Sequence, residues 1–202
     1  MSLFPFNTNW PRQAQSDSDA VKNTLLSPVC YAPGSPAVSD VDRFVVSADM
    51  KVGAYTVAVG TMPEAAVARK LLITVTQVGG ANDTMGTLTI VGTDIADQPL
   101  TEVIAPVAAS SVETLNAFKT VSSITGAGWV INVAADTITV GTSESLGLPD
   151  VLSDAAQVLF ASLATVKEAT APAVVVNATL AKNTVNLNSA LNGTAVKIYY
   201  LV

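Results

Sequence analysis

"GTLTIVGTDIADQPLTEVI", residues 86–104, reads as two short strands around a polar turn. Leu88 and Ile90 alternate with Thr87, Thr89 and Val91, and the return limb repeats the pattern from Leu100 onward. A period of two is the mark of a strand with one face buried. The turn carries Asp94 and Asp97, and an aspartate in a turn serves best by accepting hydrogen bonds from nearby backbone N–H groups. The hairpin holds no nucleophile, no pair of metal ligands and no phosphate loop, so it predicts architecture and not chemistry.

The same texture extends in both directions. "DRFVVSADM" (42–50), "GAYTVAVGT" (53–61) and "KLLITVTQV" (70–78) precede the hairpin; "GWVINVAA" (128–135) and "DTITVGT" (136–142) follow it. Farther on come "QVLFASLATVKEAT" (157–170), "APAVVVNATL" (171–180), "NTVNLNSAL" (183–191) and "TAVKIYYLV" (194–202). Runs rich in β-branched residues, set off by turn residues at intervals of roughly 8–15, predict an antiparallel sandwich. "VGT" closes three of them, at 59–61, 91–93 and 140–142. The spacings are unequal, so this is no solenoid period, and each glycine reads as a bulge or turn entry. "SSVETLNAFKTV" (110–121) reads as one or two helical turns leading into a strand. "PDVLSDAAQVLF" (149–160) reads as a loop or single turn, with a strand from about Gln157.

Residues 1–40 differ. Five of the ten prolines fall here (Pro5, Pro11, Pro28, Pro33 and Pro36), with Phe4, Phe6 and Trp10 among the first of them. Proline lacks a ladder donor and fixes φ, which excludes a central strand or a long helix. The expected organisation is an extended arm over 1–40, a β-sandwich over 41–148, and a C-terminal β segment over 149–202. That last segment either packs on the same domain or forms a small second one. The arm's aromatics are the expected interface residues, docking on their own domain or on a neighbouring subunit. Burying each is worth roughly 1.5–3 kcal/mol, and the arm is expected to order on another subunit or on a larger partner.

Composition narrows the function. Charged residues make up 13% of the 202, about half of the roughly 25% usual in soluble proteins. Half the residues are apolar and mean hydropathy is +0.45. The longest apolar run, "AAQVLFASLATV" (155–166), is shorter than the roughly 20 residues that span a bilayer. "MSLFPFNTNWPR" has neither the basic nor the apolar region of a signal peptide. So few charges predict a protomer whose neighbours cover apolar faces; the alternative is a monomer kept soluble by hydroxyls and amides. Net charge is −6, and of the ten basic residues only Arg69 and Lys70 are adjacent, which excludes the clustered footprint of nucleic-acid binding. Cys30 is the only cysteine; no intrachain disulfide can form, and the thiol reads as buried.

No histidine is present, which removes Ser-His-Asp and Cys-His catalysis and histidine-ligated zinc. A pair of catalytic carboxylates is formally open, but Asp83, Asp94, Asp97, Asp136, Asp150 and Asp154 all flank turns. "DSD" (17–19) and "SDVDRF" (39–44) offer oxygens without the twelve-residue calcium loop. "VGGAND" (78–83) has glycines but no following Lys-Ser/Thr. The triplets at Asn82, Asn177 and Asn192 match the glycosylation acceptor and, with no secretion signal, read as coincidence. Trp129 reads as a core residue at the start of a strand. No catalytic residue, cofactor or metal is expected.

The order "TLTIVGTD…PLTEVI…FKTVSSIT…DTITVGTSESLGLP" resembles small β-rich virion proteins of tailed bacteriophages, of the capsid decoration or head accessory type. Their pattern is a "TVTGTD-x-x-G-x-x-x-TE" hairpin, then "AFKTVTSV", then "DTVSVG…LGLP". It matches Thr89–Glu102, Ala117–Thr125 and Asp136–Pro149, and the resemblance covers about residues 87–202. "DIADQP" (94–99) replaces the glycine of the turn. The resemblance implies a non-enzymatic virion protein, most naturally a capsid decoration (cement) protein at the capsid surface. Its implied partners are itself, as a homo-oligomer with the trimer favoured, and the major capsid protein or another virion protein. The alternatives are a head-fibre, neck or tail-tube component and, from another class, a carbohydrate-binding or adhesin module. Neither nucleic acid nor membrane is an expected partner.

Overall fold

A computed structural model describes residues 26–55, 67–77, 83–131 and 136–202. The described chain is all-β and antiparallel, with thirteen strands and two three-residue 3-10 turns. The opening hairpin is present: β4 (Thr84–Thr93) pairs with β5 (Pro99–Ile104), Leu88 opposite Ile104 and Thr93 opposite Pro99. Asp94 organises its turn. One carboxylate oxygen accepts from Ala96 N at 2.8 Å and Gln98 N at 2.9 Å. Asp97 takes the left-handed conformation (φ 61°), a region aspartate tolerates better than most residues, and so substitutes for the missing glycine.

Two sheets enclose the first core. Six strands form one: β2 (Val45–Asp49), β3 (Arg69–Thr76), β6 (Ser111–Phe118), β8 (Thr137–Gly147), β11 (Ala173–Val175) and β12 (Thr184–Asn186). The other runs β5-β4-β7, with β7 at Thr120–Val130. β3 shows why: buried Arg69, Leu71, Ile73 and Val75 alternate with half-exposed Lys70, Leu72 and Thr74. Its apolar row, with Val45, Ile138 and Val140, meets Leu88, Ile90, Val121 and Ile124 of the smaller sheet.

β6 and β7 lie in different sheets although only Lys119 separates them. The chain turns a sandwich corner there. Phe118 is fully buried, and Lys119 N donates to Thr93 O at 2.8 Å. Gly92 sits against the Thr120 carbonyl oxygen, where a side chain would overlap backbone, and the β4–β7 register shifts at this point. The glycine of this "VGT" therefore marks a bulge; that at 59–61 lies outside the described residues. The segment expected to hold helical turns, 110–121, is two strands meeting at this corner.

A second core lies at the other end of β8. Leu146 and Leu148, with Val67 and Val185, pack against Val158, Ala161, Val196, Ile198 and Tyr200. These last belong to a four-stranded sheet, β1-β13-β9-β10: β1 (Pro28–Gly34), β13 (Val196–Leu201), β9 (Val158–Leu163) and β10 (Val166–Lys167). β9 follows a 3-10 turn at Ala155–Gln157, as the sequence predicts. Within the C-terminal segment, β11 and β12 thus extend the sheet that contains β8, while β9, β10 and β13 pair in the four-stranded sheet.

The described part of the proline-rich arm is bonded to its own chain. β1 is the edge strand beside β13, and its register breaks between Tyr31 and Gly34, across Pro33. Edges and bulges are where a sheet tolerates proline. Next, residues 37–41 lie across β8. Thr142 N donates to Asp40 O at 2.7 Å, and Asp40 N donates to Thr142 Oγ1 at 2.9 Å. Gly141 is required beneath this crossing, because the Asp40 carbonyl oxygen and Val41 backbone occupy the place of a Cβ.

Candidate functional surface

The buried polar side chains join strands to one another. Arg69 is fully buried, a role its neighbour Lys70 gives no hint of in the sequence. Its guanidinium donates to Ser143 O (2.9 and 2.5 Å) and to Ala37 O (2.9 Å), strapping the arm's end to β8. Glu144 adds Ser39 N at 3.2 Å and Leu191 N at 2.7 Å. Glu102 accepts from Leu115 N, Asn116 N and Asn116 Nδ2 at 2.7–2.9 Å. Gln157 accepts from Ser153 N at 2.7 Å and Asp154 N at 2.8 Å, and donates to Leu201 O at 2.8 Å. Each of these groups is engaged in holding backbone, which leaves it poorly placed to act on a substrate.

Phe4, Phe6 and Trp10, and the acidic Asp17 and Asp19, lie outside the described residues. Among the described residues no group of three or more His, Cys, Asp or Glu is placed to hold a metal ion. Asp40 and Asp42 sit close together, and the hydrogen bond between their side chains raises the Asp42 carboxyl above its ordinary value. Cys30 is exposed, contrary to the sequence reading: in β1 it is Val29 and Tyr31 that pack on the second core, so the alternation turns Cys30 outward. Trp129 is the penultimate residue of β7 and not an opening one; its indole lies over Gly86 and Gly126 on the flank of the first core.

Three tyrosines are held neutral. Burial pushes the Tyr31 and Tyr55 hydroxyls up to about 12. Burial, and then the bond donated to Asp150 Oδ2 at 2.5 Å, raise Tyr200 still further. All three lie above the unfolded value of about 10, so their stabilisation is complete below about pH 10 and is lost as pH rises through about 12 for Tyr31 and Tyr55, and at higher pH still for Tyr200. Alkaline titration followed by phenolate absorbance and circular dichroism is expected to show these phenolates forming together with loss of the sheet. Three phenolates forming near pH 10 with the sheet intact would contradict the packing described.

Two exposed features remain. On the outer face of the four-stranded sheet, Cys30, Tyr199 and Phe160 stand in register across β1, β13 and β9. The Tyr199 and Phe160 rings stack with centroids 4.4 Å apart, and Lys167 Nζ lies 4.9 Å from the Phe160 centroid. Phe160 is thus covered by another side chain on two sides. Around β2, Val38, Val41, Val46 and Val52 are 51–65% exposed. They are four of the thirteen exposed large hydrophobic residues among those described, and they fall within fifteen positions of one another.

A shallow depression of about 390 Å³ lies between the 151–153 loop and residues 176–178. Comparisons with protein-family models, with curated proteins and with solved structures find no match.

Proposed function

We propose that this protein is a non-enzymatic structural component of a tailed-bacteriophage virion, a decoration protein that binds the outside of the head as a homo-oligomer, with a trimer favoured. The observation that carries the reading is the use made of the three stretches that resemble phage virion proteins. Thr89–Glu102 is the hairpin whose Glu102 fastens β6. Ala117–Thr125 is the corner where the chain changes sheets. Asp136–Pro149 contains β8, which supplies both cores. All three are joints of a scaffold. The exposed valines around β2 give a surface for the capsid or a neighbouring copy to cover, and a standard interface buries roughly 1,600 Å².

A carbohydrate-binding module is the rival from another class, and the Tyr199–Phe160 pair is the observation in its favour. Sugar stacking needs an open ring face. Here Phe160 lies between Tyr199 and Lys167, which weakens that reading.

Binding only to the assembled lattice stabilises that lattice by mass action. Virions lacking the protein are expected to lose DNA at a lower temperature, and added purified protein is expected to restore heat survival. Unchanged heat survival would turn the assignment to the neck, a fibre or the tail.

A further inference from the structure

We propose that Asn192–Gly193 is a site at which the chain modifies itself, by succinimide formation, and that the strap over β8 keeps this site shut. The proposal is independent of the virion assignment.

The first support is access. Asn192 and Gly193 form the only Asn-Gly pair in the chain. Glycine has no Cβ to hold its backbone nitrogen away from the side chain of the residue before it. Both residues are exposed, and at Gly193, with φ 78°, a Cβ would meet nothing within 4 Å. Water and base therefore reach the pair.

The second support is activation. Asn192 Oδ1 accepts from Thr194 N at 3.1 Å and from Thr194 Oγ1 at 2.5 Å. Two donors on that oxygen draw electrons from Cγ and stand where negative charge develops under attack. In the reaction a base takes the Gly193 N–H proton and the nitrogen bonds to Asn192 Cγ. The bond from Cγ to Nδ2 then breaks, and Nδ2 leaves as ammonia with a proton from water. Water opens the succinimide ring at either carbonyl, giving aspartate or isoaspartate. No oxidant or reductant is needed.

The third support is the gate. The nucleophile itself, Gly193 N, donates to Pro36 O at 2.9 Å, and a proton held by a carbonyl is withheld from base. Pro36 is buried, and the residues after it are fastened: Ala37 O by Arg69, Ser39 N by Glu144 and Asp40 N by Thr142. Glu144 also takes Leu191 N at 2.7 Å, so the turn is pinned on both sides of Asn192. Isoaspartate lengthens the main chain by a methylene between those pins. The strap then no longer closes in register, and the modification records that it once lifted.

The test follows deamidation of the full chain at mildly alkaline pH, by mass spectrometry of its peptides, with a free peptide of residues 188–197 as reference. In the parent chain Asn192 is expected to react about tenfold or more slowly than in the peptide, because release breaks several hydrogen bonds together. Gly141→Ala places a Cβ where the Asp40 carbonyl oxygen and the Val41 backbone lie, and so lifts the strap. It is expected to raise the rate at Asn192 at least to that of the peptide, while the β4 amides stay protected from hydrogen exchange. The parent chain also gives a test that does not depend on this variant folding. Attack and exchange need the same N–H released, so the slowing of deamidation is expected not to exceed the exchange protection of the Gly193 amide. A parent chain that reacts as fast as the peptide would overturn the proposal. So would a folded Gly141→Ala chain that reacts as slowly as the parent, or a slowing greater than the Gly193 protection.

Discussion

Replacing Glu102 with alanine is expected to lower the stability of the protein by about 3–5 kcal/mol, measured by urea unfolding. The reason lies in what the carboxylate replaces. β6 bonds to β3 on one side, and its other edge faces the hairpin strand β5. Leu115 N and Asn116 N point from that edge, and Glu102 accepts from both, at 2.7 and 2.9 Å, while also taking the Asn116 side chain at 2.7 Å. Glu102 and Asn116 are each only 7% exposed. Three charge-assisted bonds end on one carboxylate, and such bonds are roughly twice as strong as neutral ones. Alanine would leave their donors partly stranded, each at a cost of about 1–3 kcal/mol. With a urea slope of about 2 kcal/mol per M, a loss of about 4 kcal/mol moves the midpoint down by about 2 M. Glu102→Gln keeps the shape but turns an amide N–H₂ toward donors, and is expected to fall between the two. A midpoint unchanged in the alanine variant would show that water replaces the carboxylate without loss.

The same strand explains where sequence reading succeeded and where it failed. β3 and the opening hairpin were legible because one face is buried, so apolar residues recur at every second position. In β6 the order is inverted: Leu115 is 63% exposed, whereas Thr114 and Asn116 are buried. The β3–β6 register shifts between Lys70 and Leu72. Leu71 N then bonds not to a ladder carbonyl but to Thr114 Oγ1, at 2.9 Å. Polar residues face inward because a bulge and a neighbouring carboxylate need partners, and no local pattern encodes either. The spacing of Val112, Leu115 and Phe118 then mimics a helical face. Cys30 misled differently: its type favours burial, but the alternation of β1, which packs Val29 and Tyr31 on the second core, turns it outward. Of the candidate surface, the low charge content foretold exposed apolar residues without saying where. That Val38 and Val41 stand beside β8 depends on the strap across Gly141, a contact between residues about a hundred positions apart.

Asn183→Ala is expected to cost about 3–5 kcal/mol as well, but to open the molecule at one end. Nothing in "LAKNTVNLN" (180–188) distinguishes this asparagine from Asn186 or Asn188. The structure does: Asn183 is fully buried, and both ends of its amide are used. Oδ1 accepts from Leu152 N and Asn177 N, each at 3.2 Å, and Nδ2 donates to Asn177 O at 2.7 Å and Thr179 O at 2.9 Å. Leu152 and Asn177 stand on opposite walls of the depression, so one side chain sets its width. Alanine would strand the buried Leu152 N–H and remove the partner of the part-buried Asn177 N–H and of two carbonyls, and the second core, which includes Leu152, would lose the group that pins that loop. The first core has no residue in this network. Hydrogen exchange is therefore expected to rise at Leu152, Asn177 and Thr179, while the β3 and β4 amides stay protected, because a protein opens first where its local hydrogen bonding is weakest. Asn183→Asp keeps an acceptor and loses both donors, so it is expected to retain protection at Leu152 better than alanine does. Equal loss of protection in β3 and in the loops would mean that the two cores unfold as one unit and that Asn183 supports the whole sandwich.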